Sequence, residues 1–231
     1  MNIAGLHKTS LLDYPEKVSA VIFTSGCNLS CPFCHNPELV SPQLGAFKIP
    51  ETEIWDFLKK RKKILDAVVI TGGEPTIYPD LIDFIGRIKK MGYLVKLDTN
   101  GTNPEMIKKI LDAHLLDYIA MDIKGAFSDY PRIVGKEINL DNIKKSIDYI
   151  TKSKIDYEFR TTAVPTLHDK NTFRDIGLLI KNANKYYIQQ FRNSKTLSEK
   201  FKEITPYPDE KIREFEKIMQ KYVKHVGVRG L

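Results

Sequence analysis

Cysteine is nearly missing from this chain. Three occur in 231 residues, and all three fall between Cys27 and Cys34. Three clustered thiols lack the partners of a disulfide framework and fit a reducing compartment, so a cytoplasmic location is expected. Long apolar runs are missing too. None approaches the roughly 20 residues of a membrane-crossing helix, which excludes one. Lys8 and Asp13 interrupt the start of the chain, so no N-terminal targeting segment is expected. There is no sequence repeat or low-complexity tract to suggest an array or a tail.

Negative charge is in deficit. The net charge is +7 and the pI about 9.1. The surplus sits in short runs, Lys59 to Lys63, Lys89-Lys90, Lys108-Lys109 and Lys144-Lys145. Each falls in the middle or towards the end of a predicted helix, where lysines complement the helix dipole. A solvated helix face is the simplest reading. Docking of an acidic electron donor, such as a flavodoxin or ferredoxin, is the functional one. The runs are not interleaved with aromatics, which argues against a nucleic-acid stacking platform.

What is present is an ordinary globular composition, 42% hydrophobic and 28% charged. One domain spanning residues 1–231 is expected, with 1–17 as an N-terminal extension. The informative stretch is 25–37, Ser-Gly-Cys-Asn-Leu-Ser-Cys-Pro-Phe-Cys-His-Asn-Pro, with spacing C-x3-C-x2-C. Iron–sulfur cubanes are held by cysteine thiolates and normally take four. Only three exist here, so one iron would keep an open position for a ligand. Alternatives share parts of the stretch. Cys31 to His35 has the C-x-x-C-H form of haem attachment, which needs export. Cys31 to Cys34 has the form of a thiol-redox motif, which leaves Cys27 surplus. Cys27, Cys31, Cys34 and His35 form a Cys3His zinc set, with two adjacent ligands. Three structural thiols are the plainest option.

Hydrophobic patterning gives strands at 18–24, 67–71, 93–98, 117–123, 155–164 and 186–191. Helical patterns run from Thr52, then over 79–91, 104–113, 139–152, 172–182 and 209–222. A linker is expected over 43–50, and a short tail strand over 223–228. Six strand–helix alternations predict an α/β fold of parallel units, either a partial (β/α)6 barrel or an open doubly wound sheet. Ligands then belong at the C-terminal strand ends. The cysteine loop, Gly72-Gly73-Glu74-Pro75, Asp98-Thr99-Asn100-Gly101, and Asp122 with Lys124 all fall there. Alternation in the fourth strand turns Asp122 and Lys124 inward. In the fifth it does the same for Asp156, Glu158, Arg160 and Thr162. For Asp156 and Glu158 an internal ion-pair network that merely closes the barrel is the alternative.

C-x3-C-x2-C followed by Gly-Gly-Glu-Pro resembles the radical S-adenosylmethionine (SAM) superfamily. Ser10-Leu-Leu-Asp13-Tyr-Pro15, Phe23-Thr-Ser-Gly-Cys27 and Cys34-His-Asn-Pro-Glu38 narrow this. They resemble the glycyl-radical-enzyme activases, most of all those of anaerobic ribonucleoside-triphosphate reductase, and of the short, single-cluster kind. The resemblance covers residues from about Ser10 to Phe191. It implies the partial barrel. It also implies a 4Fe–4S cluster on Cys27, Cys31 and Cys34, with SAM chelating the fourth iron. Reductive cleavage of SAM to a 5′-deoxyadenosyl radical and hydrogen abstraction from a glycine of a partner enzyme would follow. A radical SAM enzyme acting on a small molecule or RNA, and a non-catalytic zinc or thiol module, are the competitors.

The resemblance distributes further roles. Gly72 and Gly73 would let the backbone approach the SAM amine, with Glu74 orienting that loop. Asp98, Thr99 and Asp122 resemble residues that hold a monovalent cation beside the SAM carboxylate. Independently of the resemblance, Lys124 and Arg160 are cationic and turned inward, so they would neutralise that carboxylate or grip the incoming peptide, with an ordinary salt bridge as the alternative for either. Gln189 and Gln190 are both candidates for contact with SAM or substrate.

Overall fold

The computed structural model describes residues 1–40 and 48–231. Eight strands form one sheet in strict sequence order, β1 to β8. β1 (Ile3–Ser10) runs antiparallel to β2 (Ser19–Thr24). The rest are parallel: β3 (Ala67–Gly72), β4 (Leu94–Thr99), β5 (Tyr118–Asp122), β6 (Asp156–Ala163), β7 (Lys185–Gln190) and β8 (His225–Arg229). A parallel sheet that adds each new strand at the same edge curls through right-handed crossovers. Here it makes a partial barrel rather than a doubly wound sheet. The expected extension contributes β1 as an edge strand, and the expected tail strand is β8, paired along the far edge.

The crossovers carry α2 (Glu51–Arg61), α3 (Leu81–Lys90), α4 (Pro104–Asp112), α6 (Leu140–Lys152), α7 (Lys170–Leu179) and α8 (Asp209–Met219). Their apolar stripes face the sheet. In α3, Leu81, Phe84, Ile85 and Ile88 are buried at helical spacing. Local chemistry sets the starts. Asn103 accepts the Met106 amide with Pro104 in the first turn of α4, and Asp169 forms a capping box with Thr172 in α7. Two short helices escape the sequence reading, α1 (Pro37–Val40) and α5 (Tyr130–Val134). Neither is long enough to show a period. α2 starts at Glu51, so Thr52 lies in its first turn. Positions 43–47 of the expected linker lie outside the described residues, while Ile49 bridges to Ile3.

The main core lies between sheet and helices, and includes Ile22, Ile70, Leu97, Ile119, Phe159 and Ile188. The opposite face of the sheet lines the barrel. At its lower end Tyr14, Val21, Ala67, Val69 and Tyr118 form a small apolar plug. Above the plug the lining turns polar. Asp156 shares the inward parity of β6 but sits at the strand start, 73% exposed beside Lys185. Glu158, one step higher, is closed off. No helix of the described residues is long and apolar enough to cross a membrane.

Candidate active site

The cysteine loop leaves the C-terminal end of β2 and closes on itself. Gly26 N–H donates to Leu39 O at 2.7 Å and Cys27 N–H to Val40 O at 3.2 Å. Gly26 takes φ +87°, a conformation suited to glycine. α5 braces the loop from below, where Ser30 N–H donates to Val134 O at 3.0 Å. The segment after β7 straps it from the side. Ser198 N–H reaches Pro32 O at 2.9 Å, Phe201 packs on Phe33, and Lys195 O faces the His35 ring. The 196–208 segment, silent in the sequence, is thus part of the loop's support.

Burial pushes the Cys27 thiol up to about 12 and Cys31 to about 11, and raises Cys34. Cysteine ligands bind metal as thiolates, and metal binding displaces their protons. Among the described residues no three His, Cys, Asp or Glu side chains converge as a single-ion site would require. The zinc alternative therefore finds no geometric support, whereas all three thiols line one cavity, where separate irons of a cluster would take them.

The Gly-Gly-Glu-Pro loop packs directly on the start of the cysteine loop. A Cβ on Gly73 would stand 2.0 Å from Gly26 O, and one on Gly72 2.3 Å from Thr24 N. Gly73 and Glu74 amides donate to Thr24 O and Gly26 O, each at 2.9 Å. The two glycines are required first by this backbone-to-backbone contact. Glu74 is fully buried and joins two loops. Its carboxylate accepts from Thr76 N at 3.0 Å, Thr76 Oγ1 at 2.5 Å, Thr99 Oγ1 at 2.7 Å and Asn100 N at 2.6 Å. Burial raises its pKa, against the pull of those donors. Asn100 carries the connection onward, donating to Asn28 Oδ1 at 2.9 Å, and Asn28 donates to Thr102 Oγ1 at 2.7 Å. All three loops are therefore one hydrogen-bonded unit.

Below them lies a ladder of charge. Asp98 accepts from Lys96 Nζ at 2.6 Å and from Arg160 Nη1 at 3.2 Å. Asp122 accepts from Arg160 Nε at 2.8 Å and Lys124 Nζ at 2.8 Å. Burial alone would raise both carboxyls, but Arg160 and the lysines outweigh it and hold them below their ordinary range. Glu158 takes a bidentate pair from Arg229 at 2.7 and 2.8 Å, so the internal ion-pair possibility holds there.

Lys124 is fixed by its backbone. Its N–H donates to Tyr130 Oη at 3.2 Å, and its carbonyl faces His168 Nε2 at 2.7 Å. His168 Nδ1 meanwhile accepts the Val164 amide at 3.0 Å, which places the ring proton on Nε2. Burial holds His168 below its ordinary pKa, so it is neutral at pH 7. Sequence reasoning missed Lys96, His168 and Arg229, and it placed Asn28 and Asn100 in the site loops without giving either a role. Only Lys96 carried a signal, as a charge on the inward parity of an apolar strand.

One cavity of about 250 Å³ collects these groups. All eleven residues expected to form the site line it: Cys27, Cys31, Cys34, Gly72, Gly73, Glu74, Asp98, Thr99, Asp122, Lys124 and Arg160. Gln189 lines it as well, whereas Gln190 turns away and donates to Tyr207 O at 2.7 Å. Thiols, glycine backbone and paired charges lining one cavity fit a thiolate-bound cluster beside a zwitterionic ligand.

Residues 21–183 match the Radical SAM superfamily. Over 237 aligned positions the chain is 39% identical to a Methanocaldococcus jannaschii protein named "Putative glycyl-radical enzyme activating enzyme". The match covers 99% of this chain and 96% of that one. It is 30% identical to the pyruvate formate-lyase-activating enzyme of Clostridium pasteurianum, covering 95% of this chain and 87% of that one. Among solved structures, Streptococcus suis SuiB bound to S-adenosylmethionine superposes with TM-score 0.69 at 14% identity, over 91% of this chain and half of SuiB. Escherichia coli coproporphyrinogen III oxidase superposes with TM-score 0.58 at 15% identity, over 91% of this chain and 54% of that one. The structural likenesses carry the fold, and the sequence matches carry the ancestry: the chain belongs to the Radical SAM superfamily, with glycyl-radical enzyme activating enzymes among its relatives.

Proposed function

We propose that this protein is a glycyl-radical enzyme activase whose partner is an anaerobic ribonucleotide reductase. The observation that carries the reading is the gathering of three thiols, a glycine-backed loop and a buried charge ladder on one cavity. Near full-length likeness to the protein named "Putative glycyl-radical enzyme activating enzyme", and to the pyruvate formate-lyase-activating enzyme of Clostridium pasteurianum, supports it. Cys27, Cys31 and Cys34 would hold the 4Fe–4S cluster, and SAM would sit between it and the ladder. Bound there, the two groups supply hydrogen-atom abstraction driven by one-electron reduction.

The chain's own residues bind and orient. Glu74 holds the glycine loop in register with Thr99 and Asn100. Lys124 and Arg160 pair with Asp122 at the cavity lining, so either cation can reach a ligand carboxylate while staying near its protein carboxylate. The Phe33 and Phe201 contact and the strap behind it shield one side of the cysteine loop from water. An acidic flavodoxin or ferredoxin would supply the electron, docking on the lysine-rich helix faces. A membrane has no place in this reading, and neither does nucleic acid.

The test is anaerobic incubation of cluster-loaded protein with SAM, a reductant and a candidate reductase. A glycyl-radical signal on the reductase, absent when its radical glycine is replaced by alanine, is the expected result. SAM cleavage without that signal would overturn the choice of partner. The likeness to a pyruvate formate-lyase-activating enzyme would then direct the next candidate.

A further inference from the structure

The resemblance brings with it a monovalent cation on Asp98, Thr99 and Asp122. The oxygens of that set are engaged. Both carboxylate oxygens of Asp98 accept from protein cations, Oδ1 from Lys96 and Oδ2 from Arg160. Both of Asp122 do the same, Oδ1 from Arg160 and Oδ2 from Lys124. The Thr99 hydroxyl donates to Glu74 and accepts the Gly101 amide at 3.1 Å. The charge balance points the same way. Lys96, Lys124, Arg160 and Arg229 bring four positive charges to the three carboxylates of Asp98, Asp122 and Glu158. A further cation would enter an environment that is already positive and has little water to screen it.

Arg160 and Lys124 line the cavity, paired with Asp98 and Asp122, and present their cationic groups to a ligand there. Lys96 is different. It lies two residues before Asp98 on the inner face of β4, only 2% exposed, and it does not line the cavity. Its ammonium has Asp98 on one side and the Tyr118 ring, 5.9 Å away, on another. A lysine ammonium is a compact monovalent cation on a tether. It stands on the carboxylate where a free ion is expected.

We propose that Lys96 is a built-in monovalent cation that replaces the exchangeable ion, so that SAM binding needs neither sodium nor potassium. The role assigned is positioning: the ammonium fixes Asp98, and through it Arg160, at the base of the SAM site. The inference rests on the SAM-binding reading above.

The test measures SAM affinity of the cluster-loaded protein at constant ionic strength in sodium, potassium or tetramethylammonium chloride. The wild-type Kd should agree across the three salts within about twofold. Lys96→Ala opens a space beside Asp98. In tetramethylammonium chloride it should bind SAM about tenfold more weakly, and sodium or potassium should restore it. Lys96→Met fills the space without charge and should weaken binding with no rescue by either ion. Wild-type affinity that falls about tenfold or more without sodium and potassium would overturn the proposal. So would a Lys96→Ala protein that binds normally in tetramethylammonium chloride. If Lys96→Ala fails to fold, the wild-type salt series and Lys96→Met still decide. Failure of wild-type protein to bind SAM in every salt would overturn the SAM reading itself, and this proposal with it.

Discussion

The side chains that matter most are those whose removal strands a partner. Glu74 accepts four donors in a fully buried position. Glu74→Ala leaves Thr76, Thr99 and Asn100 without an acceptor and should cost about 3 kcal/mol. Chemical denaturation should show that loss, and SAM affinity should fall with it because the two loops separate. His168 predicts a pH dependence. Its folded pKa lies below the unfolded value, so the unfolded chain binds more protons once pH falls below about 6.5. Stability should therefore decline from pH 7 towards pH 5, then level off as pH passes below the folded pKa, by at most about 1.4 kcal/mol per unit. His168→Gln should flatten that slope. An unchanged slope would show that the ring is not held neutral. The cysteines and Glu74 were legible in the sequence because their motifs are local. His168 was not, because its partners, Lys124 O and Val164 N, meet it only through the folded loops.

At the level of elements, loops are joined by glycine and strands by charge. Gly73→Ala places a Cβ against Gly26 O, and backbone on both sides gives little room to move. The variant should keep its barrel, seen by circular dichroism, while losing about tenfold or more in SAM affinity as the glycine loop lifts off the cysteine loop. Strand β8 is held to β6 by Arg229 on Glu158, across β7. Glu158 is 1% exposed and Arg229 36%. Arg229→Met should cost about 2–3 kcal/mol, towards the lower part of the range for a broken buried pair because water reaches the arginine. The parallel order of β2 to β7 followed from the strand–helix alternation, and the inward face of β6 from its period of two. α5 was not legible, since five residues cannot display a helical period, yet it supplies the carbonyl that braces Ser30. The same parity that turned Asp122 and Arg160 inward also turns Lys96 inward. Its pairing with Asp98 could have been read from the strand.

For the whole molecule, the fold gathers the expected residues from the ends of five strands, β2 to β6, spread over more than a hundred positions, into one cavity at the C-terminal strand ends. Position along a parallel sheet fixes that gathering, which is why the site was legible before the barrel was seen. The lysine runs lie on the outside. Lys108 pairs with Asp112 and Lys144 with Asp141 along their own helices, the behaviour of solvated helix faces, whereas Lys89 is part-buried and ties α3 to Asp117 before β5. The overall excess of positive charge remains available to an acidic donor. The rate of cluster reduction by a flavodoxin should fall steeply with added salt, whereas reduction by a small neutral reductant should not. Equal salt dependence would remove electrostatic docking from the picture.

The most direct measurement is anaerobic electron paramagnetic resonance of the reconstituted, reduced protein, with and without SAM. A 4Fe–4S signal that changes when SAM is added is the predicted result, because three thiolates leave one iron open to a ligand. A cluster signal indifferent to SAM, or no cluster signal at all, would contradict it.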